Sequence, residues 1–348
     1  MPQLRSDNES WRRMVLSSMP PPDWLRDDAP NRDVALSTRV RVMRNLVGFP
    51  FPHRADPDQL REVARRVHKA FADAGPQLSC GPLESIPSLT AAEREYLIGC
   101  RLISHEFRWR EAGRVVLLDK IRRISVMVNE EDHLRMQALT PGWSPSTATD
   151  SVSDLLETID PRLDFAWSPS FGYLAASPFN AGAGMRVSGM FHLIGLAANR
   201  KLPTVLRALS AQGLAARGLF GESTRAVGAF VQVSVSRGGV AEFAGAVDYL
   251  LGEERNARRG IDPSTVAQKA RQAAAFAVQS RSLNLSDALR VMGYARWAAT
   301  LGLKGFPPSP REVDRWLTQI ELRASQTGSR PGEDRASFLR TRLEPAVS

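Results

Sequence analysis

Cysteine is scarce in this 348-residue sequence, which contains only Cys80 and Cys100. Two cysteines make no disulfide framework, and no cysteine–histidine spacing is typical of a zinc site. The five histidines are scattered and form no site by their spacing. The sequence therefore excludes a disulfide-stapled scaffold and predicts no metal site built from protein ligands alone.

Long apolar runs are also missing. No segment approaches the roughly 18 residues that a membrane-spanning helix needs. The first thirty residues mix arginines with acids and lack the apolar centre of a signal peptide. A hydrophobic content of 43% and a charged content of 24% are typical of a globular protein. We expect a cytoplasmic protein with no membrane partner.

Lysine is the third scarce residue, since only five of the 46 basic residues are lysine and the rest are arginine. A formal net charge of +9 indicates an anionic partner, either nucleic acid or a phosphate-bearing molecule. The planar fork of arginine suits phosphate and carboxylate, although a biased genome is the alternative explanation for its abundance. The sequence GxxxxGK[ST] is absent, which excludes a P-loop.

Periodicity predicts an α+β protein with an antiparallel sheet flanked by helices. Asp56 and Pro57 begin a helix over 56–75, and segments 114–119 and 123–129 alternate as a β-hairpin. The segment 171–200 is expected to start extended, to turn on its glycines, and to become a helix that opens near Arg186.

Beyond a linker candidate at 258–264, the remaining pattern is helical. We predict three parts: an arm over 1–33, an α+β domain over 34–256 and a helical domain over 257–348. The helical domain is a candidate surface for homodimerisation.

Three consecutive acids follow an apolar strand in "VMVNEEDHLRM" (126–136). Glu130, Glu131 and Asp132 repel one another when close, and each raises the pKa of the others. We therefore expect a cationic group opposite them.

Five arginines stand at turns or strand ends. Arg39 and Arg41 in "STRVR" are two residues apart, so both side chains face one way in an extended segment. Arg135 closes the acidic stretch, Arg186 follows a glycine-rich turn, and Arg217 begins "RGLFGE". If they converge, these arginines would make a polyphosphate cradle.

The sequence resembles the ATP:guanido phosphotransferases, the family of creatine and arginine kinases and of bacterial protein arginine kinases. The resemblance rests on "STRVRVMRN", "VMVNEEDHLRM", "SPFNAGAGMRVSGM" and "RGLFGE", which occur in the family's order and spacing. It covers about 34–256, roughly two-thirds of the chain. It implies a guanido kinase catalytic domain that uses Mg²⁺ and ATP.

The resemblance also implies roles for individual residues. Glu131 would be the base that takes a proton from the substrate guanidinium, Glu222 would hold it from the other side, and Ser177 would lie beside it. Glu130, Asp132 and His133 would support them. The nucleotide-binding residues that it implies are Ser37, Thr38, Arg39, Val40, Arg41, Arg135, Arg186, Val187, Ser188, Gly189, Met190, Arg217, Gly218, Leu219, Phe220, Gly221 and Glu222.

The layout favours the protein arginine kinase branch. Small-molecule kinases of the family carry a sizeable helical domain before the first arginine motif, whereas only 36 residues precede Ser37 here. The partners implied are protein substrates with exposed arginines, an activator protein and no nucleic acid. An activator and a link to protein quality control are implied by the resemblance alone.

Three positions depart from the family pattern. Ser177 stands where the family has cysteine, and a neutral hydroxyl lacks the charge of a thiolate. Arg101 stands where a histidine is expected near the adenine. Of the RDxxRA motif associated with phosphoarginine sensing, only Arg335 and Ala336 are retained.

Three other readings stay open. A pseudokinase of the same fold would bind ATP without transfer, and Ser177 is its main support. A small-molecule guanidino kinase would phosphorylate free arginine. A nucleic-acid-binding protein would account for the charge but not for the acids, and its binding would be sensitive to salt.

Overall fold

The computed structural model describes residues 15–17, 19–86, 89–108, 112–219, 226–235, 240–322 and 330–348. The predicted site residues Phe220, Gly221 and Glu222 lie outside these ranges. Among the described residues, no helix is long and apolar enough to cross a membrane.

An antiparallel sheet of eight described strands forms the centre of the molecule, with strands in the order β2-β3-β4-β5-β1-β8-β10-β9. Two further strands, β6 and β7, form a separate small hairpin. The strands are β1 (Ala35–Arg44), β2 (Glu84–Ile86), β3 (Val115–Leu118), β4 (Ile124–Val128), β5 (Leu134–Pro141), β6 (Trp167–Ser168), β7 (Gly172–Tyr173), β8 (Met185–His192), β9 (Ala215–Gly218) and β10 (Phe230–Val235).

Helices flank the sheet and make up the C-terminal region, which confirms the predicted fold class. The described α-helices are α1 (Pro57–Ala74), α2 (Ala91–Gly99), α3 (Pro145–Ile159), α4 (Ile194–Ala198), α5 (Leu202–Ala211), α6 (Val240–Arg259), α7 (Pro263–Gln279), α8 (Leu285–Thr300), α9 (Pro310–Gln319) and α10 (Pro331–Leu343).

Helix α1 begins where its capping residues predict. The Asp56 carboxylate accepts hydrogen bonds from the backbone of Asp58 and Gln59, and the Gln59 side chain accepts one from the Asp56 N–H. This capping box satisfies backbone donors that a helix start otherwise leaves unpaired. The helix buries Val63, Val67 and Phe71 against the sheet, as their spacing predicts.

The two faces of the sheet contact different layers. One face packs Val40, Val42 and Met136 into a core with α1, α3 and α6. On the other face, Leu139 and Met190 belong to a second core, built mainly with the C-terminal helices α8, α9 and α10. The part of the second face that these helices leave uncovered holds the candidate site described below.

The predicted helix near Arg186 is wrong. Residues Met185–His192 form β8, a central strand paired with both β1 and β10, and α4 begins only at Ile194. Gly189 sits in this strand because any Cβ there would overlap the ring of Phe191. Hydrogen bonding on both edges and this close packing are tertiary effects that outweigh a local helical pattern.

A buried ion pair joins the C-terminal helices to the chain before β1. Arg296 of α8 is fully buried, and its Nε donates to Asp314 Oδ1 of α9 at 2.8 Å. Its other nitrogens donate to the carbonyls of Arg32 at 2.9 Å and Asp33 at 3.0 Å. In the predicted arm, Trp24 is also buried and donates to the Cys100 carbonyl. The predicted domain boundaries stay predictions.

Candidate active site

The strand register brings the predicted arginines onto one face of the sheet. Arg41 of β1 lies opposite Arg186 of β8, and Arg39 lies one pleat further along the same face of β1. Side chains alternate between faces along a strand, and paired residues share a face. Arg135 of β5 pairs with Met43 of β1 and therefore faces the same side. Arg217 of β9 pairs with Gln232 of β10 and also faces this side.

We call the side of the sheet that carries Arg39, Arg41, Arg135, Arg186 and Arg217 the arginine face. The positive charges on this face repel one another. Burial, followed by repulsion from neighbouring arginines, lowers the pKa of Arg39 and Arg41 well below the ordinary value of arginine. Burial and repulsion from Arg217 and Arg135 also lower the pKa of Arg186. Among the described residues, the buried Nε atoms of Arg39, Arg41, Arg135 and Arg186 have no hydrogen-bond partner. Buried donors without acceptors are costly, so an anion in this place would relieve both the repulsion and the unmet hydrogen bonds.

A cavity of about 240 Å³ opens over this face. It is polar on the sheet side and apolar where other elements close it. Leu317 of α9 and Trp24 from the chain before β1 contribute to its apolar wall, together with Ile98 at the end of α2. The polar wall consists of Arg39, Arg41, Arg101, Arg135, Arg217, Ser104, His105, Glu106 and Gln232. The shape combines a cationic floor with an apolar side, as a nucleotide would require.

Two residues of this cavity have roles beyond those that the sequence predicts. Gln232 accepts a hydrogen bond from Arg39 at 2.7 Å and thereby orients it. The only sequence signal for Gln232 is its polar character within an alternating strand. Arg101 adopts a positive φ of 64° at the end of α2 and donates to Ser37 Oγ at 2.6 Å. Burial lowers the pKa of Arg101 to about 10, and Arg101 thus adds a sixth guanidinium.

The acidic stretch forms the turn between β4 and β5. Asn129 takes a positive φ of 57°, and its N–H bonds the His133 carbonyl at 3.0 Å. Glu130 is turned inward, where it accepts hydrogen bonds from Arg135 at 2.7 Å and from Ser104. The Arg135 contact joins the turn to the arginine face.

Asp132 is also turned inward. Its Oδ1 accepts hydrogen bonds from Asn45 Nδ2 and from the backbone N–H of Ala176, each at 2.7 Å. The second bond fixes the chain next to Ser177 against the acidic turn. His133 is buried, with Nδ1 accepting from the Leu46 N–H and Nε2 bonded to the Pro50 carbonyl. These contacts give Asp132 and His133 a positioning role.

Glu131 is the exposed member of the three acids. Partial burial, followed by repulsion from Asp132 and Glu130, raises the pKa of its carboxyl group. Since its two neighbours are held by internal hydrogen bonds, Glu131 is the carboxylate available to a ligand. A cationic ligand is the one that this arrangement suits.

Some predicted nucleotide-binding side chains lie elsewhere. Val40 and Val187 are buried in the core on the opposite face of the sheet, so they do not reach the cavity. Thr38 also faces that side and donates to the Gly142 carbonyl at 2.8 Å. Strand alternation therefore separates these three side chains from Arg39 and Arg41, and the assignment of Thr38, Val40 and Val187 to nucleotide binding stays a prediction.

Ser37, Ser188 and Met190 lie on the same side of the sheet as the arginines. Ser188 donates to the Arg39 carbonyl, and Met190 is buried on the same side within the second core. Leu219 lines the cavity and follows Gly218 at the end of β9. Arg335, left from the altered C-terminal motif, lies apart from the cavity and forms a bidentate ion pair with Glu321.

The fold and the site define a phosphoryl-transfer type of site, in which a cationic floor ends at an exposed carboxylate. The model of the ATP:guanido phosphotransferase C-terminal catalytic domain matches residues 62–245. A protein named "Protein-arginine kinase" from Halothermothrix orenii is 34% identical over 291 residues, which cover 80% of this chain and 82% of that protein. One of the same name from Halalkalibacterium halodurans is 29% identical over 96% of this chain and 98% of its own.

Two solved structures share this fold. A lombricine kinase superposes with a TM-score of 0.55 at 23% identity, covering 70% of this chain and 73% of its own. The duplicated taurocyamine kinase from Schistosoma mansoni gives a TM-score of 0.57 at 23% identity, over 69% of this chain and 35% of that one. This chain belongs to the ATP:guanido phosphotransferase family.

Proposed function

We propose that this protein is a protein-arginine kinase, which transfers the γ-phosphoryl group of Mg-ATP to arginine side chains of other proteins. The observation that carries the proposal is the arginine face, whose buried Nε atoms have no hydrogen-bond partner among the described residues, next to the turn that exposes the carboxylate of Glu131. The relatives named above, which match most of the chain, support a protein as the substrate.

The arginine face fits the polyphosphate of ATP. Guanidinium groups donate charge-assisted, often bidentate, hydrogen bonds to phosphate oxygens. The phosphates would be held by Arg39, Arg41, Arg135, Arg186 and Arg217. The apolar side of the cavity, which includes Trp24, would contact the adenine. The described residues include no group of three or more histidines, cysteines or acids that could hold a metal. Mg²⁺ would enter with ATP and would neutralise part of the charge of the phosphates.

Glu131 would act on the substrate guanidinium. A guanidinium is a poor nucleophile because its pKa is above about 12. The Glu131 carboxylate aligns it and accepts one N–H proton as that nitrogen forms a bond to the γ-phosphorus. The bond from phosphorus to the bridging oxygen of ADP breaks in the same step, and ADP leaves. The raised pKa of Glu131 makes it a stronger base than an ordinary glutamate.

The chain supplies positioning and charge stabilisation for this step. The arginines stabilise the charge on the transferred group, and Glu130 holds Arg135 in place. Asp132 holds the segment that carries Ser177 beside the acidic turn. Glu222 is proposed, on the family resemblance, as the second carboxylate on the guanidinium.

The test is to incubate the protein with Mg-ATP and casein and to detect acid-labile phosphate on arginine by mass spectrometry. Glu131→Gln removes the base and should abolish phosphoarginine while nucleotide binding, measured by calorimetry, is retained. Glu157→Gln, at an exposed acid of α3, is the matched control and should be fully active. ATP binding without phosphoarginine in the unmodified protein would support the pseudokinase. Transfer to free arginine but not to casein would support a small-molecule kinase.

The activator protein, the homodimer through the C-terminal helices and the cytoplasmic location stay predictions.

A further inference from the structure

Three of the five exposed aromatic side chains in the described part of the chain lie within residues 167–179. Trp167, Phe171 and Phe179 are 57%, 68% and 71% exposed, and Val47 next to them is 57% exposed. These four are among nine large hydrophobic residues that are exposed in the described part of the chain. Several exposed apolar side chains in one segment often mark an interaction site, because exposed apolar surface is unfavourable in water.

Trp167, Phe171 and Phe179 belong to one small structure, which we call the aromatic ribbon (residues 164–182). Strands β6 and β7 pair Trp167 with Tyr173, and Tyr173 exchanges two backbone hydrogen bonds with Gly182, at 2.9 and 3.1 Å. On its other side, the ribbon bonds the chain after β1, through Val47 N–H to the Asp164 carbonyl at 2.9 Å.

The aromatic ribbon is held rigidly against the site. Arg44 lies 3.5 Å from the centre of the Tyr173 ring and donates to the Ala183 carbonyl. Asn45 donates to the Leu174 carbonyl, and the Asp132 carboxylate accepts from Ala176 N–H. The ribbon is thus fastened to the acidic turn by side chains on either side, and it presents a preformed surface.

A turn displays Phe179 directly beyond Ser177. The Asn180 N–H bonds the Ser177 carbonyl at 2.9 Å, so Pro178 and Phe179 occupy the two central positions of a β-turn. Side chains at the tip of a turn cannot reach the core, which accounts for the exposure of Phe179. The surface therefore begins two residues from Ser177 and continues along the ribbon.

We propose that the aromatic ribbon is the docking surface for the protein substrate, where it binds apolar side chains that flank the target arginine. This inference rests on the proposed function. A free guanidino compound bound at Glu131 would not reach the ribbon. A polypeptide has further residues on both sides of its target arginine, and these residues can cover the ribbon. The ribbon thereby selects arginines within apolar sequence.

The test compares two peptides that differ only beside the arginine, one with phenylalanine and leucine flanks and one with glycine and serine flanks. Wild-type protein should show a KM roughly 10-fold lower for the apolar peptide, the size expected for burying one or two rings. The double variant Trp167→Ser, Phe171→Ser should lose this preference through KM rather than kcat, while the KM for ATP stays within twofold.

Tyr249→Ser and Phe276→Ser are the matched controls, since these residues are 56% and 49% exposed on α6 and α7, outside the ribbon. Both controls should keep the wild-type preference. Equal preference in the ribbon variant and the wild type would overturn the proposal. So would a change of oligomeric state in the ribbon variant, measured by light scattering, because the surface would then bind a second copy of the chain.

A binding measurement separates this inference from the proposed function. Trp167 is the exposed tryptophan among the described ones, so its fluorescence should shift to shorter wavelength when the apolar peptide binds. A shift without any phosphoarginine would refute the kinase and keep the docking surface. Phosphoarginine without a shift, and with equal KM for both peptides, would refute the docking surface and keep the kinase.

Discussion

Replacing Arg41 with methionine should stabilise the ligand-free protein while abolishing nucleotide binding. Burial, followed by repulsion from Arg135 and Arg186, lowers the pKa of Arg41. Its buried Nε has no partner among the described residues. Methionine has a similar length, removes the unpaired donor and the charge, and packs against the aliphatic parts of its neighbours.

The size of the effect follows from these contacts. Leaving a buried donor unpaired costs about 1–3 kcal/mol. Replacing buried ion pairs with well-packed hydrophobic residues is often neutral or stabilises proteins by about 1–4 kcal/mol. For a chain of this length, 1 kcal/mol corresponds to roughly 2 °C in melting temperature. We expect the Arg41→Met protein to melt about 2–6 °C higher than the wild type without nucleotide.

Arg296→Met provides the opposite control. Arg296 is also a buried arginine, but its guanidinium donates hydrogen bonds to Asp314 and to two backbone carbonyls. Its removal leaves Asp314 buried and poorly paired, which should destabilise the protein by about 3–5 kcal/mol. Melting curves with and without Mg-ATP distinguish the two cases, since ATP should raise the melting temperature of the wild type and not of Arg41→Met. Similar destabilisation by both substitutions would refute the idea of a strained anion site.

Three further predictions follow from single contacts. The rate of transfer should fall tenfold per pH unit as pH drops through the pKa of Glu131, because the protonated carboxyl cannot accept a proton. That pKa is raised, so the acid limb should lie above the ordinary pKa of glutamate, and an acid limb at or below that value would contradict the assignment. Ser177→Cys should raise kcat/KM roughly threefold or more, since a thiolate attracts the guanidinium; an unchanged value would place Ser177 away from the substrate. Gly142→Ala should destabilise by about 2–4 kcal/mol in urea unfolding, because φ is +60° and the Cβ would overlap the Pro30 carbonyl. Gly48→Ala, also at positive φ but in open space, should cost only about 1 kcal/mol.

Local patterns were sufficient where the chemistry is local. The capping residues Asp56 and Pro57 predicted the start of α1, and the alternation of residues 123–129 predicted the strand that is β4. The two-residue spacing of Arg39 and Arg41 predicted that they share a face, because side chains in a strand alternate. The same local reasoning failed at Arg186, where pairing with β1 and β10 makes a strand of a segment that was expected to be helical.

The sequence by itself determined the family, the acids and the five arginines, because these depend on residue identity and spacing. Only the tertiary structure decided which groups meet: Arg41 and Arg186 across a strand pair, Gln232 against Arg39, and Leu317 of the C-terminal helices in the cavity wall. It also decided that Glu131 is exposed while Glu130 and Asp132 are held inside. Such contacts join residues far apart in the chain, and their energies come from packing and register, which no local pattern contains.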